Sequence, residues 1–289
     1  MQRQKSPIRA CHLVEIVTPK KVVLNGLWFG PKKPKRVIVW VHGLGSSMFS
    51  KLGIADELVD KKTAVLVFNN RGHETISNVP RGKGRLKAGA AHERFIDSAD
   101  DIQGAINFAK RRGTRDVFLA GHSTGSQKSV YWANKKGRGV NGIILLAPIS
   151  DYSAQRYEYE AKKVERAVAV ARTMIRRGKG DALLPVHVWD WPWSAQRYVS
   201  LFAGSGPEEI FTYWDASKNP RALKSVKIPT LVLLAGKDEH GDRPAKEIAA
   251  WFTKHLRTPH RVFVVPRVPH SFKGGEKKVV AHIRSFMGK

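Results

Sequence analysis

The 289-residue sequence predicts an α/β fold, with a mainly parallel sheet covered by helices on both faces. Three observations predict it. Several runs are of strand length and wholly apolar. These runs alternate with amphipathic helical patterns. One of them ends in a Gly-x-Ser-x-Gly turn that opens directly into a helix.

The elements follow in order. "LVEIVT" and "KVVLNGLWF" pair as a starting hairpin around Pro19 and Lys20. "RVIVWVHG" (36–43) is a buried strand ending in a glycine, and "TAVLVFNNRG" (63–72) is another. In 97–113, Ile102, Ala105, Ile106 and Ala109 line one face of a helix that Gly113 stops. "DVFLAG" (116–121) is a strand, followed by a helix from about Ser126. "GIILLAP" (142–148) and "IPTLVLLAG" (228–236) are strands, 243–256 a helix, 261–266 a strand and 276–287 a closing helix.

The segment 152–225 breaks this rhythm. It begins with a long polar-rich helix, "YEYEAKKVERAVAVARTMIRRG". It also holds Trp189, Trp191, Trp193 and Trp214, half of the eight tryptophans. It reads as a cap inserted between two strands of a core formed by 1–151 and 226–289.

Composition narrows the function classes. No apolar run approaches the ~20 residues of a membrane helix. The basic N-terminus lacks the apolar core of a signal peptide. The single cysteine, Cys11, excludes an intramolecular disulfide and a cysteine-based zinc site. These features predict a soluble cytoplasmic protein. A net charge of +27 suggests a nucleic-acid binder. However, its basic residues recur along the whole chain, as in "PKKPKR", "RGKGRLK" and "KRRGTR". That dispersion, without a zinc-finger or RNP-type signature, argues against nucleic acid as the partner.

The turn Gly121-His122-Ser123-Thr124-Gly125 points to chemistry. A serine nucleophile must leave its strand sharply so that its hydroxyl stands clear. Neighbours two before and two after must then be tiny. The following helix start offers backbone N–H groups and a positive dipole to an oxyanion. Thr124 is one candidate donor. Leu44, in "VHGLGSSM" after the 36–43 strand, is the other, with Gly43 and Gly45 allowing close approach. His42 reads as a structural imidazole bonded to backbone.

An acid belongs past the next-to-last strand. Asp238 fits, with Glu239 and Asp242 on the same loop and Asp151 as an alternate after "LLAPIS". A histidine belongs after the last strand, where His270 sits. His240, His255 and His260 lie elsewhere. "FNNRGHE" could bring Arg71 or His73 near the site, but it reads as a polar turn whose arginine and asparagines bond backbone. The carboxylates of "AHERFIDSADD" suit a helix N-terminus. Trp189, Trp191 and Trp193 are candidate substrate-binding residues, set against a plain packing role.

The order Ser123, Asp238, His270 resembles that of the α/β-hydrolase superfamily, serine esterase type, over nearly the whole chain. Within it, "AGHSTGSQKSVYW", "APISD", "GKGDALLP", "QRYVSLFAG" and "AGKDE" resemble a branch that includes fungal esterases opening siderophores such as fusarinine. The chain departs from that branch at Tyr152, where an arginine is common, and at 205–209. The resemblance implies an acyl-enzyme mechanism on a small-molecule ester, with no metal and no organic cofactor. A lactone or thioester substrate stays within the same chemistry.

Overall fold

The computed structural model describes residues 9–288. The first residues of the basic N-terminal segment, 1–8, lie outside them. The chain opens with the antiparallel pair β1 (His12–Val17) and β2 (Val23–Phe29). The strands β3 (Arg36–Val41), β4 (Thr63–Phe68), β7 (Asp116–His122), β8 (Gly142–Leu146), β9 (Thr230–Ala235) and β10 (His260–Val265) complete an eight-stranded sheet. Its order is β1-β2-β4-β3-β7-β8-β9-β10, and every pairing from β4 to β10 is parallel.

Side-chain alternation along the strands sorts the core into two layers. Val37, Val39 and Val41 of β3 face one way, against α2 (Ser98–Arg111), α3 (Thr124–Lys135) and α8 (Ala245–His255). Ile38 and Trp40 face the other way, against α1 (Leu52–Leu58) and α9 (Glu276–Phe286). Each fully buried aliphatic side chain of this kind contributes about 1.5–3 kcal/mol. The outer strands differ. In β10 exposure alternates, and in β1 Leu13 is 73% and Val17 50% exposed.

Between β8 and β9 lie α4 (Asp151–Glu158), α5 (Ala161–Arg176), α6 (Ala195–Phe202) and α7 (Arg221–Lys224). Val164, Ala167 and Ala171 of α5 pack with Trp189, Trp193, Tyr198 and Phe202 in a third apolar cluster, against which Leu44 also rests. The long helix read from the sequence at 157–178 is α5, except that its first two residues, Tyr157 and Glu158, end the separate helix α4. The chain is extended at Tyr159 between α4 and α5, so that both can pack on α6.

Three further differences are local. The helix after Ser123 begins at Thr124, not Ser126. The short helix α1 and the hairpin β5 (Ser77–Arg81)–β6 (Gly84–Ala88) were not expected. Both have mixed polar composition and make no continuous apolar run.

Candidate active site

The site forms at the carboxyl ends of the parallel strands, where an open α/β sheet leaves its crevice. Ser123 connects β7 to α3 with φ 56° and ψ −126°, a conformation that a side chain rarely adopts. The two flanking glycines are sterically required. A Cβ on Gly121 would lie 2.2 Å from the Gly125 carbonyl oxygen, and one on Gly125 would lie 2.3 Å from that of Val41. On Gly43 a Cβ would approach the Ser123 Cβ to 3.0 Å, so the β3 loop runs directly beside the serine. The Ser123 N–H donates to the Leu146 carbonyl at 2.9 Å, and the Ser126 hydroxyl donates to that of Gly121 at 2.8 Å. These bonds pin the turn on both sides.

Of the carboxylates weighed from the sequence, Asp238 meets the His270 ring. Its Oδ2 and Oδ1 lie 2.8 and 3.0 Å from Nδ1. A carboxylate accepts, so Nδ1 is the donor, which in the neutral tautomer leaves the lone pair on Nε2. The rival acids are engaged elsewhere. Glu239 accepts from the His270 backbone N–H at 2.8 Å, and Asp242 pairs with Arg243 at 2.8 Å. Asp151, at the start of α4, accepts from Gln127 Nε2 at 2.6 Å. The rival histidines are also committed. His240 pairs with Glu158, His255 packs on Trp251, and His260 bonds the Thr258 carbonyl.

His122 is a residue that sequence reasoning passed over. Its buried Nε2 donates to the His270 carbonyl at 2.9 Å, joining the two loops. Desolvation, reinforced by the nearby His270 and Lys51, pushes its pKa well below the ordinary value, so the ring is neutral. Nothing in its motif position signals that role. His42 is structural, as read. Its Nδ1 bonds the Gly43 carbonyl and its Nε2 accepts the Asn70 N–H, while burial lowers its pKa to about 3.

Ser123, His122 and His270 line one cavity of about 330 Å³. Leu44, Trp193, Phe202 and Ile149 supply its apolar wall, and Lys51, Asp151, Glu158 and His240 its polar side. Burial lifts the Asp151 carboxyl to about 7, helped by the charge of Glu208 and offset by Gln127. For His240, burial opposes the charge, but the Glu158 hydrogen bond and the charges of Glu158, Asp238 and Glu239 together outweigh it and the pKa rises. Of the three candidate tryptophans, Trp193 reaches the cavity wall. Trp189 packs between Tyr159 and Tyr198 and Trp191 is 46% exposed, neither on that wall. Trp189 is spent on packing because two aromatic neighbours enclose it.

Beneath the site lies a buried ionic network. Glu93 pairs with Lys128 of α3 at 2.5 Å and with Arg197 of α6 at 3.0 Å. Arg197 also pairs with Glu208 at 2.5 Å. Burial and these two cations act in opposite directions on Glu93, and the cations prevail, lowering its pKa. Arg71 does not bond backbone through its side chain, as the sequence suggested. It pairs with Asp97, Asp100 and Asp101, which are therefore ion partners as well as helix-start residues. Charged residues of this kind read as surface in a sequence, which is why the network was not foreseen.

Among the described residues no cluster of three or more His, Cys, Asp or Glu side chains is arranged to hold a metal ion, and no helix is long and apolar enough to cross a membrane.

The sheet order, the strand–serine–helix turn and the flanking helices define an α/β-hydrolase fold. Residues 95–261 match a family described as "Protein of unknown function (DUF1749)", and the chain belongs to that family. The structure is similar to the siderophore hydrolase EstB from Aspergillus fumigatus (TM-score 0.69, 13% identity, 98% of each chain covered). It is also similar to ferulic-acid-bound Est1E from Butyrivibrio proteoclasticus (TM-score 0.65, 17% identity, 95% of this chain and 97% of that one). In sequence, a Mycoplasma genitalium protein named "Putative esterase/lipase 2" is 28% identical over 139 residues, 48% of this chain and 47% of that protein. The match thus spans about half the length of that curated relative.

Proposed function

We propose that the chain is a serine hydrolase that cleaves carboxylic esters of small molecules. The carrying observation is the meeting, in one cavity, of Ser123 on its strained turn and of a His270 ring held by Asp238. Ser123 Oγ attacks the acyl carbon while His270 Nε2 takes its proton. Asp238 fixes the tautomer and stabilises the imidazolium. The N–H groups of Thr124 and Leu44 hold the oxyanion, a contribution of roughly 3 kcal/mol per donor. His270 then returns the proton to the leaving alcohol. Water, activated by the same imidazole, releases the acid. No metal or organic cofactor enters these steps, and a lactone or thioester would follow the same route.

Support for ester chemistry comes from the names of the relatives, a siderophore hydrolase and an esterase/lipase among them. In this proposal 152–225 is the cap, and Trp193 and Phe202 set the apolar side of the substrate pocket. A cytoplasmic setting belongs to the same proposal.

The test is hydrolysis of p-nitrophenyl esters from acetate to long acyl chains. The wild type turns over a subset set by chain length, and Ser123→Ala is inactive. Labelling of Ser123 by a fluorophosphonate without any ester turnover would leave the nucleophile in place and remove the ester. Folded protein that does neither refutes the proposal.

A further inference from the structure

A second cavity, of about 320 Å³, shares no lining residue with the first. It lies where the β5–β6 hairpin meets the β1–β2 turn and the segment leading into α2. Its volume falls within the range of small-ligand sites. Its walls are dominated by cations. Arg81, Lys87 and Arg94 are exposed side chains on it, and among the described residues none of the three has an ion-pair partner. The carboxylates present are already used. Glu93 is held by Lys128 and Arg197, and Asp97 by Lys20 and Arg71. The three free cations therefore set the sign of the cavity, against Asp181, whose carboxylate also acts on His92.

A second observation is independent of surface charge. His92 lines the cavity and is 6% exposed, yet neither ring nitrogen has a hydrogen-bond partner. A buried polar group left unpaired is costly, and an incoming oxygen acceptor would relieve that cost. Desolvation, followed by the nearby Lys87 charge, lowers its pKa. A neutral imidazole still offers one N–H to an oxyanion.

We propose that this cavity binds the phosphate group of a small molecule, received by Arg81, Lys87, Arg94 and His92. Guanidinium groups suit phosphate because their paired N–H donors match two of its oxygens. The concave shape favours a small ligand over the extended backbone of a nucleic acid, which tracks a groove or stripe. Neither the fold nor the Ser123 site requires such a cavity, so the inference stands apart from the proposed ester hydrolysis.

Isothermal titration calorimetry of the full chain with inorganic pyrophosphate, at about 0.15 M salt, tests it. One-to-one saturable binding is expected. The triple variant Arg81→Gln/Lys87→Gln/Arg94→Gln weakens it at least about tenfold, as loss of charged hydrogen-bond partners should. These side chains are exposed, so the variant folds, and near-ultraviolet circular dichroism verifies that. His92→Phe, which keeps the ring shape, weakens binding severalfold. The control Lys110→Gln/Arg111→Gln removes two exposed charges from the far end of α2 and leaves affinity within about twofold. Absence of saturable binding overturns the site. Equal weakening by the control overturns it in favour of diffuse charge. Binding of a single-stranded oligonucleotide without binding of pyrophosphate overturns the small-molecule assignment.

Discussion

Gly125 shows how tightly one residue can be specified. Its missing Cβ leaves room for the Val41 carbonyl, 2.3 Å from where that atom would stand. Backbone cannot swing aside as a flexible side chain can. Gly125→Ala is expected to cost about 3 kcal/mol, the upper end of overpacking penalties, read by urea unfolding. Asp151 makes a different prediction. Burial raises its folded pKa to about 7 from 3.8. Between those values the folded state binds more protons than the unfolded state, so this group's stabilisation is full below pH ~4 and lost as pH rises through ~7. Asp151→Asn keeps the Gln127 hydrogen bond without the charge. It should be more stable than wild type at pH ~8 by roughly 3 kcal/mol, and the gap should close as pH falls toward ~4. A gap independent of pH would show that the carboxylate charge is not its source. Single residues also mark the boundary of what a sequence tells. Ser123, Asp238 and His270 stand out because their spacing around strand ends is itself the signal. His122 and Glu239, which hold the His270 loop, carry no such signal, since their contacts are made across the fold.

At the scale of elements, α3 and α6 are joined through Glu93. Lys128 has its charge answered by Glu93 at full burial, whereas Arg197 has Glu208 as well. Glu93→Gln would leave the lysine uncompensated. A loss of about 3–5 kcal/mol is expected, as when one partner of a buried pair is removed. Glu93→Gln combined with Lys128→Met should recover part of it, and a double-mutant cycle in urea gives the coupling. No recovery would mean that Glu93 acts chiefly through Arg197. The same elements explain which parts of the fold were legible. The strands β3, β4, β8 and β9 were, because burial on both faces demands unbroken apolar runs. The hairpin β5–β6 was not. Its strands "SNVPR" and "GRLKA" are mostly exposed, with only Val79 and Ala88 buried. The break at Tyr159 was hidden too, having neither proline nor glycine to mark it. It exists because α4 and α5 both fold back onto α6, a tertiary demand.

Across the whole molecule, the charge of +27 acts against compactness. Like charges repel more strongly when drawn together, and salt screens them. Raising sodium chloride from about 0.01 M to about 0.5 M should therefore raise the urea midpoint, despite the weakening of exposed ion pairs such as Arg9–Asp56. A falling midpoint would show that attractive surface pairs dominate. The pairs of Arg197 with Glu93 and Glu208, exposed by 2% or less, should be little affected, since buried charges are screened far less than exposed ones.

The outer strand β1 gives the same charge a second consequence, colloidal and not conformational. It presents an unshared ladder edge among the described residues, with Leu13 and Val17 open to solvent. An apolar edge of this kind invites pairing with another copy, the route to aggregation. Mutual repulsion between strongly basic molecules keeps those edges apart. The salt that tightens each molecule thus also removes the barrier between molecules, so its shelf life in solution should shorten in the same buffers in which its fold is firmest.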